Sequence, residues 1–69
     1  MELAKKIGQN LKEARKFKGF TQKEAAAKLN MTQQQYSRFE NGVFELNYYQ
    51  ILTLCALYEI TPNELFNVD

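Results

Sequence analysis

Two helix-start signals eleven residues apart constrain this chain more than any other feature. Thr21 with Glu24 and Thr32 with Gln35 both fit the capping box. In that motif a hydroxyl accepts from the backbone N–H three residues on, and the side chain at that position reaches back. A helix must therefore start at Thr21, end and turn before Thr32, and a second must follow at once. Ala25, Ala26 and Ala27 suit the first of these, by propensity and by letting a neighbour approach closely. Asn30 stands at the corner, where its tolerance of positive φ makes a sharp turn workable. The second helix opens with Gln33, Gln34 and Gln35. Three long amides are poor core material, but glutamine forms bidentate pairs with base edges. Two short helices, a tight corner and amides at the second N-terminus imply a helix-turn-helix arrangement suited to DNA.

The flanking segments read as helices too. The first runs from about Leu3 to Lys18, with Leu3, Ile7, Leu11 and Ala14 as one apolar stripe. Gly19 ends it as a left-handed residue, and Phe20 drops toward the core. The second helix spans Thr21 to Leu29, and the third runs from Thr32 to near Asn41–Gly42. In the third, Tyr36, Phe39 and the preceding Met31 face inward, leaving Gln33, Gln34, Ser37 and Arg38 outside. A fourth helix opens at Asn47, with Gln50 as cap partner, and continues to about Tyr58. It is apolar on two sides: Ile51, Leu54, Cys55 and Tyr58 form one stripe, and Tyr49, Leu52 and Ala56 another. Such a helix is either central or covered by another chain. The fifth begins with Thr-Pro-Asn-Glu at 61–64, a capping box with proline where its missing N–H costs nothing, and turns Leu65 and Phe66 inward. Five short helices with short connections make an all-α fold, and residues 1–69 read as one domain.

Composition excludes more than it assigns. Apolar residues at 45% are ample for folding. The lone Cys55 permits no internal disulfide and reads as a small core residue, and with no histidine no metal cluster is expected. The N-terminus alternates charged and apolar residues, unlike a signal peptide, and no apolar run approaches the ~20 residues that span a bilayer, so a soluble cytoplasmic protein is expected. Net charge is only +1, but residues 1–30 hold eight basic against three acidic groups, and residues 31–69 hold one basic against five acidic. That polarity suits one face toward phosphate, and equally a lysine-solvated first helix. No nucleophile–base pair, glycine-rich phosphate loop or paired carboxylates point to an enzyme, and no cofactor is implied. So short a chain is also expected to struggle to enclose a ligand pocket of ~300 Å³ or more, so no small-molecule ligand is expected.

In order along the chain stand Ile7, Leu11 and Arg15, then Gly-Phe-Thr-Gln at 19–22, Ala26, Phe-Glu-Asn-Gly at 39–42 and Ile-Thr-Pro-Asn-Glu-Leu-Phe at 60–66. This series resembles the lambda-repressor-like (Cro/C1, XRE-type) helix-turn-helix DNA-binding family. The resemblance implies a five-helix domain with the helix-turn-helix at helices 2 and 3. It implies a sequence-specific transcriptional regulator, a small repressor whose third helix reads operator DNA in the major groove.

Roles follow from the resemblance by position. Gln33, Gln34 and Arg38 would face base edges, with Ser37 beside them, as glutamine suits adenine N6/N7 and arginine guanine O6/N7. Gln22 would donate to a phosphate and brace the first glutamine of helix 3. Thr21, Thr32, Asn41, Lys12 and Lys23 complete the phosphate set. Arg15 and Glu40 would form an ion pair that orients the recognition helix, with the arginine also within reach of a phosphate. Three departures from the family pattern matter. Ala25 stands where leucine is usual, so Phe39 or Phe17 must fill the space. Asn30 replaces a common corner glycine. The loop after Gly42 reads Val-Phe-Glu-Leu, and Glu45 would repel phosphate where relatives often carry basic residues.

One recognition helix reads few base pairs, so two half-sites about 34 Å apart, and hence a homodimer, are expected. The surplus apolar residues Phe44, Tyr49, Leu52, Leu57 and Phe66 are candidates for its interface, or for completing the core. The alternative function is a protein-interaction module of the same fold, such as an antitoxin or antirepressor partner with weak DNA binding. The acidic second half, the Val-Phe-Glu-Leu loop and the extra aromatics favour that alternative.

Overall fold

The computed structural model describes residues 2–67; Met1, Val68 and Asp69 of the 1–69 domain lie outside the described residues. Five α-helices follow in order: α1 (Glu2–Lys18), α2 (Gln22–Lys28), α3 (Gln33–Glu40), α4 (Tyr48–Tyr58) and α5 (Pro62–Phe66). Among the described residues there is no strand.

The helices start and stop where short-range chemistry dictates. All four helices after α1 open with a complete capping box: Thr21/Glu24, Thr32/Gln35, Asn47/Gln50 and Thr61/Glu64. Each satisfies two backbone N–H groups that a helix end leaves without partners. Helix ends are equally uniform. After α1, the Gly19 N–H donates to Lys16 O and the Phe20 N–H to Arg15 O. After α2, the Asn30 N–H donates to Ala27 O and the Met31 N–H to Ala26 O; after α3, the Gly42 N–H donates to Phe39 O and the Val43 N–H to Arg38 O. This paired pattern is the Schellman motif, which needs a left-handed residue at its centre. Gly19, Asn30 and Gly42 supply it, with φ of +82°, +56° and +74°. Glu59 does so after α4 at φ +55°, an unusual choice for a residue with no special tolerance of that region. Its carboxylate pairs with Lys18 Nζ at 2.7 Å, which ties the α4 terminus to that of α1.

The core is built from Leu11, Ala25, Ala26, Tyr36, Phe39, Leu54, Cys55, Tyr58 and Leu65, with Ile7, Phe20, Met31 and Ile51 packed around it. The buried line of α1 is Ala4, Gly8, Leu11 and Arg15. Ile7 and Ala14 flank it, and Leu3 is 58% exposed, so the helix is rotated by about one residue from the expected stripe. Close approach of the backbones is the reason. A Cβ on Gly8 would lie 2.5 Å from the carbonyl oxygens of both Phe39 and Glu40, so α1 and the end of α3 meet where only glycine fits. The space beside Ala25 closes without Phe17, which is 89% exposed on the far side of α1; Phe39 is the aromatic that turns inward. At the other end, the Asn10 amide donates to Leu65 O at 2.9 Å and fastens α5 to α1.

Candidate nucleic-acid interface

Lengthwise, α3 divides into two faces. Tyr36, Phe39 and Glu40 are buried, Gln33, Gln34 and Arg38 are exposed, and Ser37 is half-buried at the border. Gln33, Gln34, Ser37 and Arg38, with Gln22 from α2 and Asn41 at the α3 C-cap, line one shallow open concavity of about 580 Å³. The Asn41 amide donates to Ser37 Oγ at 3.3 Å. Six side chains from two helices thus share one polar, outward surface.

Hydrogen bonds lead inward from that surface. Gln33 Nε2 donates to Gln22 Oε1 at 3.5 Å, and Gln22 Nε2 donates to Glu40 Oε1 at 3.0 Å. Arg15 Nε donates to Glu40 Oε2 at 2.7 Å, its Nη2 to Glu40 Oε1 at 3.2 Å, and its Nη1 to Phe20 O at 2.8 Å. A carboxylate only accepts, so Gln22 must turn its NH₂ group inward and present its carbonyl to Gln33. Gln33 therefore keeps its carbonyl and one N–H for a partner outside, the acceptor–donor pair that adenine N6 and N7 require. The 3.5 Å contact is the weakest link in this chain.

The ion pair beneath is well enclosed. Arg15 is 7% exposed, its guanidinium turned to Glu40 and Phe20, so it stands as framework inside the protein and not at phosphate reach. Burial pushes the Glu40 carboxyl up, but hydrogen bonds from Arg15, Gln22 and Tyr36 outweigh it and hold it below its ordinary value. The hydrogen bond to Glu40 likewise holds Arg15 above its own. Behind them the Tyr36 and Tyr58 hydroxyls meet at 2.7 Å, and burial raises both, Tyr58 to about 12. Among the described residues no buried side-chain polar atom lacks a partner.

The remaining positions fall into three groups. The Thr21 and Thr32 hydroxyls accept from Glu24 N and Gln35 N, and as exposed hydroxyls each retains an O–H to donate outward. Lys12 is half-buried and Lys23 exposed, and neither lines the concavity. Of the apolar set, Phe44, Tyr49 and Leu52 are exposed, whereas Leu57 and Phe66 are half-buried against the core. Tyr48, 87% exposed, extends the apolar surface beyond the residues picked from sequence, as does Val43. Only the continuity of apolar residues at 43–44 and 48–49 signalled them. Phe44 also touches the polar surface, since the Arg38 guanidinium lies 5.7 Å from its ring centre. A second, apolar cleft of about 380 Å³ opens between α1, α4 and α5, lined by Leu3, Ile7, Leu46, Ile51 and Phe66 among others.

The helix-turn-helix domain family matches residues 8–69. The chain belongs to that family. It is similar to the HTH-type transcriptional regulator ImmR of Bacillus subtilis (strain 168), with 38% identity over 63 residues, 91% of this chain. The chain spans about half the length of that curated relative, 50%. It is also similar to the restriction-modification controller protein C.AhdI from Aeromonas hydrophila, with 31% identity and a TM-score of 0.80 over 93% of this chain and 96% of that one. The helix-turn-helix itself is α2, the Asn30 corner and α3, and the concavity lies on its outer side.

Proposed function

We propose that this helix-turn-helix chain is a sequence-specific DNA-binding transcriptional regulator, a small repressor that reads operator DNA with α3 in the major groove. One observation carries the reading: Gln22, Gln33, Gln34, Ser37, Arg38 and Asn41 share a single open polar surface, on a helix anchored from behind by the buried Arg15–Glu40 pair. Gln33, Gln34 and Arg38 face base edges, with Ser37 beside them. Thr21, Thr32 and Asn41 donate to phosphates, as does the one amide N–H of Gln22 that Glu40 leaves free, and Lys12 and Lys23, which lie outside the concavity, add positive charge for phosphate. The Arg15–Glu40 pair sets the direction in which α3 leaves the core. The whole of residues 1–69 acts as one domain, in the cytoplasm, where its DNA is; among the described residues no helix is long and apolar enough to cross a membrane.

The protein works as a homodimer, because one α3 covers too few base pairs for an operator. Exposed Phe44, Tyr49 and Leu52 supply apolar area for the second copy, with half-buried Leu57 and Phe66 at its edge. The relatives, a transcriptional regulator and a controller protein, support this reading over a protein-interaction module.

Selection of duplexes from a randomised pool, followed by gel shift with the winners, tests the proposal. Gln33→Ala and Arg38→Ala each remove discrimination at the base pair that side chain reads and so weaken the preference for the selected site. Lys12→Ala and Lys23→Ala weaken binding to every sequence alike and flatten its salt dependence. If the first two variants keep the full sequence preference, α3 is not the reading element.

A further inference from the structure

We propose that Phe44 is a specificity-determining residue of this surface, its ring holding the Arg38 guanidinium in the pose from which it reads a guanine. The inference rests on the DNA-reading function proposed above and deepens it. Phe44 lies beyond the helix, six residues after Arg38, yet the two are tied together at both ends. The Val43 N–H donates to Arg38 O at 2.9 Å and the Phe44 N–H approaches the same oxygen at 3.4 Å. The left-handed Gly42 allows that tight return. The ring is therefore carried on a turn hydrogen-bonded to the residue it supports. At the other end, the guanidinium carbon sits 5.7 Å from the ring centre, within cation–π range.

Among the described residues Arg38 has no carboxylate within ion-pair distance and no side-chain hydrogen bond, although Glu45 follows in the same loop. An exposed arginine without a partner samples many rotamers, and ordering it on contact with a base costs affinity. A flat apolar ring under the guanidinium removes part of that cost and leaves the outer N–H edge free to pair with guanine O6 and N7. Phe44 is 52% exposed, so one face of its ring serves Arg38 while the rest faces solvent or a neighbour. A leucine at this position would preserve apolar area but not the attraction of a π face for a cation.

The test uses the tightest duplex selected from a randomised pool, together with versions in which each G·C pair is changed in turn to A·T. For the wild-type protein, one such change marks the base read by Arg38, identified as the change to which Arg38→Ala is blind. Phe44→Ala and Phe44→Leu should each lower discrimination at that position by roughly two- to five-fold, the range of an exposed cation–π contact, with other positions unchanged. Phe44→Tyr should restore it. In an Arg38→Ala background, Phe44→Ala should have no further effect on discrimination. Sedimentation of each variant separates this role from subunit contact: the loss of discrimination must appear in protein of wild-type oligomeric state. Without DNA, the Arg38 Nε–H resonance should move away from its ring-shifted position in Phe44→Leu and stay in Phe44→Tyr. A uniform weakening toward all duplexes, accompanied by dissociation, overturns the proposal in favour of a purely interfacial Phe44. Unchanged or improved discrimination also overturns it. A wild-type protein with no sequence preference overturns the DNA-reading function itself, and this inference with it.

Discussion

Helices α3 and α4 bury similar inner faces and expose opposite outer ones. α3 turns Tyr36, Phe39 and Glu40 inward, and α4 turns Leu54, Cys55 and Tyr58 inward. The two meet at the paired hydroxyls of Tyr36 and Tyr58. Outward, α3 shows amides and an arginine, whereas α4 shows Tyr48, Tyr49 and Leu52. A partner for the first surface must offer hydrogen-bonding edges, and a partner for the second must offer apolar area. Inner faces make the protein fold, and outer faces decide what it meets. The difference becomes testable because the two classes of substitution should fail in different assays.

The largest expected effect lies on the inner side of α3. Arg15→Ala leaves the Glu40 carboxylate buried with only Gln22 and Tyr36 for company, and should cost ~3–5 kcal/mol of folding free energy in denaturant titration. For a 69-residue chain that is a large share of all its stability. Glu40 also gives the protein an acid limit. Its folded pKa lies below the ordinary 4.5, so its contribution is complete above that value and is lost as pH falls through the folded one. Glu24 and Glu59 are lowered as well, so the acid slope is shared. Glu40→Gln should flatten the slope without abolishing it, as read by denaturant midpoints across pH 2–6. A wild-type stability that stays level across this range would sink the assignment.

How much of this was legible beforehand follows from how local each feature is. The capping boxes are visible because hydroxyl and acceptor stand three residues apart in the chain, and all four form. The left-handed ends at Gly19 and Asn30 are visible for the same reason, whereas the one at Glu59 is not, since glutamate carries no signal for positive φ. The face that α1 buries differs by about one residue from the stripe its hydropathy predicts. Hydropathy ranks Leu3 and Ile7 above Ala4 and Gly8, but a tight helix crossing selects small residues, and only the approach of Phe39 and Glu40 to Gly8 reveals it. Of the two aromatics that could close the space beside Ala25, Phe39 turns inward, while the angle of Phe17 on α1 points it to solvent. For the candidate site, helical periodicity alone puts Gln33, Gln34 and Arg38 on one outer face. Joining Gln22 to Glu40, and Phe44 to Arg38, requires the tertiary turn that brings them together.

The next effect in size belongs to the outer side of α3. Gln33→Ala removes an amide whose carbonyl and remaining N–H match adenine, and should cost ~1–3 kcal/mol of discrimination at one A·T pair. The thermal midpoint should barely move, because Gln33 is exposed and its bond to Gln22 is long. Gln22→Ala gives a sharper version. It leaves every base-facing side chain in place but frees Gln33 to rotate, so adenine preference should fall while binding to unselected duplex drops only by the lost phosphate contact. Equal losses on selected and unselected duplexes would show that Gln22 acts on phosphate alone.

The smallest effect on folding, and the most direct test of the contrast, lies on the outer side of α4. Leu52 is exposed and lines a shallow apolar depression with Tyr48, Ile51, Pro62 and Phe66. Leu52→Lys should leave the folding free energy of the monomer within about 0.5 kcal/mol, as exposed substitutions away from caps and core usually do. If the surface joins two copies, the same charge buried at its centre is unpaired and the dimer should dissociate, visible by sedimentation at micromolar concentration. Binding to a two-half-site duplex should then fall steeply, while binding to a single half-site stays as it was, since α3 is untouched. Tyr49→Lys should behave in the same way. A Leu52→Lys protein that remains dimeric moves the interface elsewhere on the molecule, and one that unfolds shows that the outer face of α4 belongs to the core after all. Either result would end the division of labour between the two helices.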